Sequence, residues 1–110
     1  MTIKELIEQS HATAKEKGWW DNKRHFLEVL MLVVGELSEA SEEFRDGMDF
    51  KEIKFIKKTG KPVGIPIEIA DVFIRLGDLC AKYEIPVEKA LEIKMIYNKK
   101  RSYRHGGKKS

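Results

Sequence analysis

A chain of 110 residues, 42% hydrophobic and 35% charged, is long enough for one core and too short for two. No apolar run approaches the ~20 residues that span a bilayer, the first residues carry no apolar signal-peptide region, and the one cysteine, Cys80, excludes an internal disulfide. The net charge of +3 is uneven: positions 1–93 hold all 18 acidic residues against 14 Lys and Arg, and from Lys94 onward seven Lys and Arg stand with no acid. The expectation is one cytoplasmic, helix-rich domain without membrane association, with Cys80 as a small core residue in a reducing compartment.

Thr2-Ile3-Lys4-Glu5 is a capping-box pattern, Thr2 being the N-cap and Glu5 reaching back to it. Ile3, Leu6 and Ile7 follow at helical spacing, so the first helix is predicted over 1–17 and ends at Gly18. Trp19-Trp20-Asp21-Asn22 then reads as a turn with Asp21 as the next N-cap. Two adjacent tryptophans in a short turn cannot both face one core. One of them either plugs a gap at the helix junction or is free to stack on a planar ligand.

The second helix is predicted over 22–46, with Gly47 as its stop and Phe26, Leu30, Val33, Leu37, Ala40 and Phe44 as its apolar stripe. Glu36, Glu39 and Glu43 border that stripe. Acids toward a helix C-terminus oppose the macrodipole, which favours a functional over a stabilising reason for them. Residues 48–64 read as a strand pair or short helix with lysines at 51, 54, 57, 58 and 61, either a lid or a solvated connection.

Pro66 opens the third helix, predicted over 66–83 and apolar nearly all round, so that a second subunit is expected to cover one face. Glu68, Asp71, Arg75 and Asp78 nevertheless form one narrow polar line along it, and charges on a mostly buried helix need partners. The fourth helix is predicted over 86–101, with Lys94, Asn98 and Arg101 on one polar stripe, and 102–110 is a basic tail.

Two acid pairs thus share one spacing: Glu36 with Glu39, and Glu68 with Asp71. Residues three apart on a helix are surface neighbours, roughly 5–6 Å between Cβ atoms, so each pair can aim two carboxylates at one point. Two such pairs on packed helices make a four-carboxylate cluster that is too costly to bury without a cation. With no histidine among its members the site is all oxygen, which selects Mg²⁺ or Mn²⁺ over zinc or copper. Glu-x-x-His pairs of the di-iron bundles are missing, as are a Walker A sequence and a nucleophile elbow. Carboxylate-held Mg²⁺ takes further ligands from water and phosphates. Lys94 and Arg101, with Arg104 and Lys108 of the tail, supply cations for a phosphate substrate. The chemistry indicated is Mg²⁺-dependent hydrolysis by an all-α domain.

Glu36-x-x-Glu39, 28 intervening residues, then Glu68-x-x-Asp71 resembles the signature of the all-α nucleoside triphosphate pyrophosphohydrolases of the MazG-like superfamily. VVGELSEASEEF, IPIEIADVFIRLGDL and KMIYNKKRSYRHGGK extend the likeness over most of residues 18–108. The resemblance implies a four-helix-bundle-like fold assembled as a dimer or dimer of dimers, and hydrolysis between the α- and β-phosphates to a monophosphate and pyrophosphate as nucleotide-pool house-cleaning. It implies metal ligation by Glu36, Glu39, Glu68 and Asp71, and nucleotide contacts from Lys94 and Asn98, supplied within one chain or across the dimer. Glu43, on the Glu36/Glu39 face, is the candidate for a second metal or for positioning the water. In the dCTP-cleaving branch a tryptophan and a histidine ahead of the first acid pair meet the base, and Trp20 and His11 match them; that branch's tyrosine, four after the last acid, is here Arg75. A different class of function, a helical dimer or scaffold binding nucleic acid through its basic tail, would leave the acids merely structural, and they would repel a phosphate backbone.

Overall fold

The computed structural model describes residues 1–101, and the basic tail at 102–110, with Lys108 in it, lies outside the described residues. The chain is mostly helical: α1 (Ile3–Glu16), α2 (Phe26–Arg45), a two-stranded antiparallel hairpin of β1 (Lys54–Phe55) and β2 (Pro62–Val63), α3 (Ile65–Lys82) and α4 (Val87–Lys100). No helix among the described residues is long and apolar enough to cross a membrane.

The capping box at the start of α1 forms as expected. The Glu5 amide donates to Thr2 Oγ1 at 3.0 Å and the Thr2 amide donates to Glu5 Oε1 at 2.8 Å. Helix α2 begins four residues later than its apolar pattern suggested. His25 is the N-cap, its Nδ1 accepting from the Leu27 amide, while the Arg24 Nε–H turns back to donate to the Trp19 carbonyl at 2.9 Å. That turn holds 21–25 out of the helix, so Asp21 caps nothing. Gly18 and Gly47 close α1 and α2 with positive φ, the conformation that lets a chain leave a helix.

Helix α3 lies between α1 and α2 and carries the structure. Val29 and Val33 of α2 pack with Leu79 and Cys80 of α3, sealed by Trp20, Val72, Tyr83 and Ile85. Further along, Glu36 meets Arg75, so α2 runs antiparallel to α3. The buried line of α2 passes through Val29, Val33 and Ala40, and the flanking Phe26, Leu37 and Phe44 are exposed. A helix that meets one neighbour covers only part of a stripe as wide as this one. At Gly77 an added Cβ would stand 3.3 Å from Ser10 Oγ and 3.4 Å from the Leu6 side chain. The missing side chain therefore permits the close crossing of α1 on α3 that brings His11 beside Asp78.

No residue of α4 is buried, and its Ile93, Met95, Ile96 and Tyr97 are all more than half exposed. The radius of gyration, 17.0 Å, exceeds the ~13 Å of a compact domain near this size. Helix α4 docks on the body at its start, where Val87 packs against the core, and leaves most of its length uncovered among the described residues.

Candidate metal centre

The antiparallel pairing of α2 and α3 brings the two acid pairs face to face. Oxygens of Glu36, Glu39 and Glu68 lie within 4.8 Å of one another. Oxygens sharing one Mg²⁺ at 2.0–2.1 Å stand about 3–4 Å apart, so the three carboxylates need to close by up to about 2 Å, within the reach of a glutamate rotamer change. Glu68 is 8% exposed, and its Oε2 is buried with no hydrogen-bond partner among the described residues. A buried carboxylate that converges with two others and has one oxygen orphaned needs a proton or a hard cation, and the all-oxygen donor set fits Mg²⁺ or Mn²⁺.

Electrostatics report the same crowding. Burial, a hydrogen bond with Glu39, and the nearby charges of Glu39, Asp71 and Glu36 push the Glu68 carboxyl from its ordinary 4.5 up to about 7. Asp71, one helical turn on, is outside the tight trio. Its carboxyl is also pushed up, by burial and the charge of Glu36 first, with Arg75 and Lys61 of the hairpin pulling the other way. Hairpin β1–β2 thus carries one of its lysines toward the acids. Gly64, at its base with φ +137°, adopts a backbone other residues disfavour, and a Cβ there would run into the Glu52 carbonyl.

Arg75 is the centre's internal counter-cation. Its Nε–H donates to Glu36 Oε1 at 2.6 Å, and its guanidinium lies 4.7 Å from the Trp19 ring centroid, with that of Arg24 at 3.9 Å. On the sequence Arg75 had two acids within its own helix as candidate partners; the structure pairs it across helices. Arg75→Ala should lower the melting temperature of the metal-free protein by the equivalent of ~1–2 kcal/mol, because Glu36 is left unpaired among like charges. Saturating Mg²⁺ should recover most of that loss, a result that thermal melts with and without the ion can check.

Beside the acids, between α1 and α3, lies a cavity of about 330 Å³ lined by Ser10, Trp19, Glu36, Asp71, Arg75 and Asp78 among others. His11 and Trp20 converge here on one atom: His11 Nδ1 lies 2.8 Å from Asp78 Oδ1, and the Trp20 indole N–H donates to the same oxygen at 2.9 Å. Trp20 otherwise packs into the core edge-on to Tyr83. Of the two tryptophans, Trp19 is the one on the cavity wall. The 68-71-75-78 polar line on an apolar helix was the sequence signal that marked Asp78; nothing local marked Trp19.

The remaining candidates are not gathered. Glu43 is half-buried on α2 and stands apart from the trio of converging carboxylates. Lys94, Asn98 and Arg101 lie on or at the end of α4. There Lys94 and Arg101 sit over the Tyr97 ring, and Arg101 Nη1 lies 3.4 Å from Asn98 Oδ1. None of the three lines the cavity. No family model, no curated protein and no solved structure matches the chain.

Proposed function

We propose that the chain is a Mg²⁺-dependent nucleoside triphosphate pyrophosphohydrolase of the MazG-like type, cleaving (deoxy)nucleoside triphosphates between the α- and β-phosphates. The observation that carries the reading is the convergence of Glu36, Glu39 and the orphaned, buried Glu68 beside a cavity that Glu36 and Asp71 line.

Glu36, Glu39, Glu68 and Asp71 are the residues that would hold the ion, and a divalent cation there would supply positive charge against the negative charge that builds on the phosphates. Glu39, the exposed member of the trio, is open to hold a water and orient it. Glu43, one turn further along α2, would accept the proton that water gives up once its side chain swings toward the trio. The oxygen attacks the α-phosphorus, the bond from that phosphorus to the α–β bridging oxygen breaks, and pyrophosphate leaves with the electron pair. Lys94, Asn98 and Arg101 bind the departing phosphates. They stand away from the trio within one chain, and α4 presents an uncovered apolar face, so they reach it from a neighbouring protomer of a homodimer or of a dimer of dimers. Such an assembly also covers Ile93, Met95 and Ile96, which water otherwise meets.

The test is pyrophosphate release by Glu39→Gln and Asp71→Asn. Each should lose at least ~10³-fold in turnover, the scale on which catalysis depends on preorganised charge, while the helical circular dichroism stays that of the wild type. Turnover within a few-fold of wild type in both would remove the carboxylates from the reaction.

A further inference from the structure

Resting on that reading, and sharpening what it leaves open, we infer that Asp78 is the residue that selects the base: the cavity takes a base with an exocyclic amino group, of the cytosine or adenine kind, in preference to its keto counterpart.

Asp78 is 7% exposed and lines the cavity shared with Glu36 and Asp71. Both of its hydrogen bonds, from His11 and Trp20, fall on Oδ1. Among the described residues Oδ2 receives none, and it is not among the atoms sealed from solvent. One carboxylate oxygen is therefore fixed by two ring N–H groups, and the second oxygen of this cavity-lining side chain, unpaired among the described residues, is free to accept from a ligand. Indole N–H can only donate, so the bond from Trp20 keeps Asp78 from turning its bound oxygen inward.

A lone acceptor complements a single donor. Cytosine N4 and adenine N6 amines supply one, and carboxylates accept from such amines. Uracil and hypoxanthine carry an oxygen at the same position, which would meet Oδ2 as like charge meets like, and their neighbouring ring N–H reaches Oδ2 only if the base shifts along its edge. Guanine's donor edge needs two acceptor oxygens side by side, and here one is already taken. Ser10, also buried on the cavity wall, has a hydroxyl that serves as donor or acceptor and so does not discriminate. The selection falls to Asp78.

Asp78→Asn gives a sharp outcome. The amide oxygen must stay on the Trp20 N–H, so the amide NH₂ turns to the cavity and the acceptor becomes a donor. A residue that merely propped up His11 and Trp20 would lower all rates together; a base reader inverts a ratio.

The experiment measures kcat/KM for two amino/keto pairs, CTP with UTP and ATP with ITP, on the full chain with Mg²⁺. The wild type should favour the amino member of each pair on the order of 10²-fold, the scale for a hydrogen bond to a charged group against an unpaired one. Asp78→Asn should reverse the order. Triphosphates that are cleaved with the members of each pair within about threefold, less than one net hydrogen bond yields, would overturn the inference and leave the hydrolase standing. If no triphosphate is cleaved, the hydrolase reading falls by itself. Calorimetric binding of CMP against UMP and AMP against IMP then decides for the cavity: amino preference supports Asp78 as the reader, and equal or no binding overturns it. Should Asp78→Asn fail to fold, the wild-type ratios alone carry the decision.

Discussion

Replacing Glu68 by Gln raises the melting temperature of the metal-free protein above pH 7 and abolishes the further rise that Mg²⁺ gives the wild type. Both effects come from one buried group. The Glu68 carboxyl is held up at about 7, against its ordinary 4.5, by burial first and then by its neighbours Glu39, Asp71 and Glu36. In the metal-free fold it therefore binds a proton more tightly than in the unfolded chain. Stability present below about pH 4.5 declines as pH rises toward 7 and levels off beyond, once the charged form is established in both states. Gln at this position carries no charge, keeps a donor for Glu39, and removes that pH dependence. A buried polar group relieved of an unmade interaction changes stability by ~1–3 kcal/mol, and ~1 kcal/mol moves the melting point of a domain near this size by roughly 4–8 °C. Mg²⁺ acts in the opposite direction. At a hundred times its dissociation constant a ligand stabilises by about 2.7 kcal/mol, and the variant should lose nearly all of it. Calorimetric melts at pH 5, 7 and 8, with Mg²⁺ and with EDTA, read both effects at once. A variant less stable than wild type at pH 8 without metal, yet still stabilised by Mg²⁺, would contradict a cation role for this carboxylate.

The second large effect is recovery of activity from two dead proteins. Lys94→Ala, on α4, and Glu39→Gln, on α2, should each abolish pyrophosphate release, because one removes a phosphate contact and the other a carboxylate of the ion site. If α4 reaches the site of its neighbour, the two changes fall in different places in a mixed dimer. One site then holds both substitutions and the other holds none. Unfolding and refolding the two variants together at equal amounts should restore roughly a quarter of wild-type activity, since half the dimers are mixed and each has one intact site. Each variant treated alone should stay inactive. The uncovered apolar residues of α4, with Met31, Val34 and Phe73 also exposed on α2 and α3, are where the two chains would join. Light scattering should give a mass at least twice the 12.8 kDa of the chain. A mixture as inactive as its parts, in a protein of single-chain mass, would confine the site to one chain and leave Lys94 without a role.

Much of this was legible in the sequence, for identifiable reasons. Caps and stops are local chemistry, so the box at Thr2 and Glu5 and the glycines at 18 and 47 marked where helices begin and end. The i, i+3 acids announced a meeting because identical spacing on two amphipathic helices brings them into register once the helices pack. The start of α2 was misplaced because Arg24 bonds backward to Trp19, a contact that hydrophobic periodicity does not register. Choosing Trp19 over Trp20 for the cavity was likewise beyond reach: the two are neighbours in sequence, and only the position of Asp78, 58 residues away from Trp20, decides which indole turns inward. Arg75 shows the same gap. Acids on its own helix were visible, whereas Glu36, 39 residues off, became its partner through the antiparallel packing of α2 on α3. The position of α4 was illegible for another reason: its face is apolar enough to need cover, and none of the described residues supplies it.

The most direct test is pyrophosphate release from a panel of ribo- and deoxynucleoside triphosphates, damaged and methylated bases included, in Mg²⁺ and again in EDTA. The expected result is stoichiometric monophosphate and pyrophosphate from at least one triphosphate in Mg²⁺, and none in EDTA. Release of orthophosphate instead, release unaffected by EDTA, or no release from any member of the panel would contradict a carboxylate-held ion acting between the α- and β-phosphates.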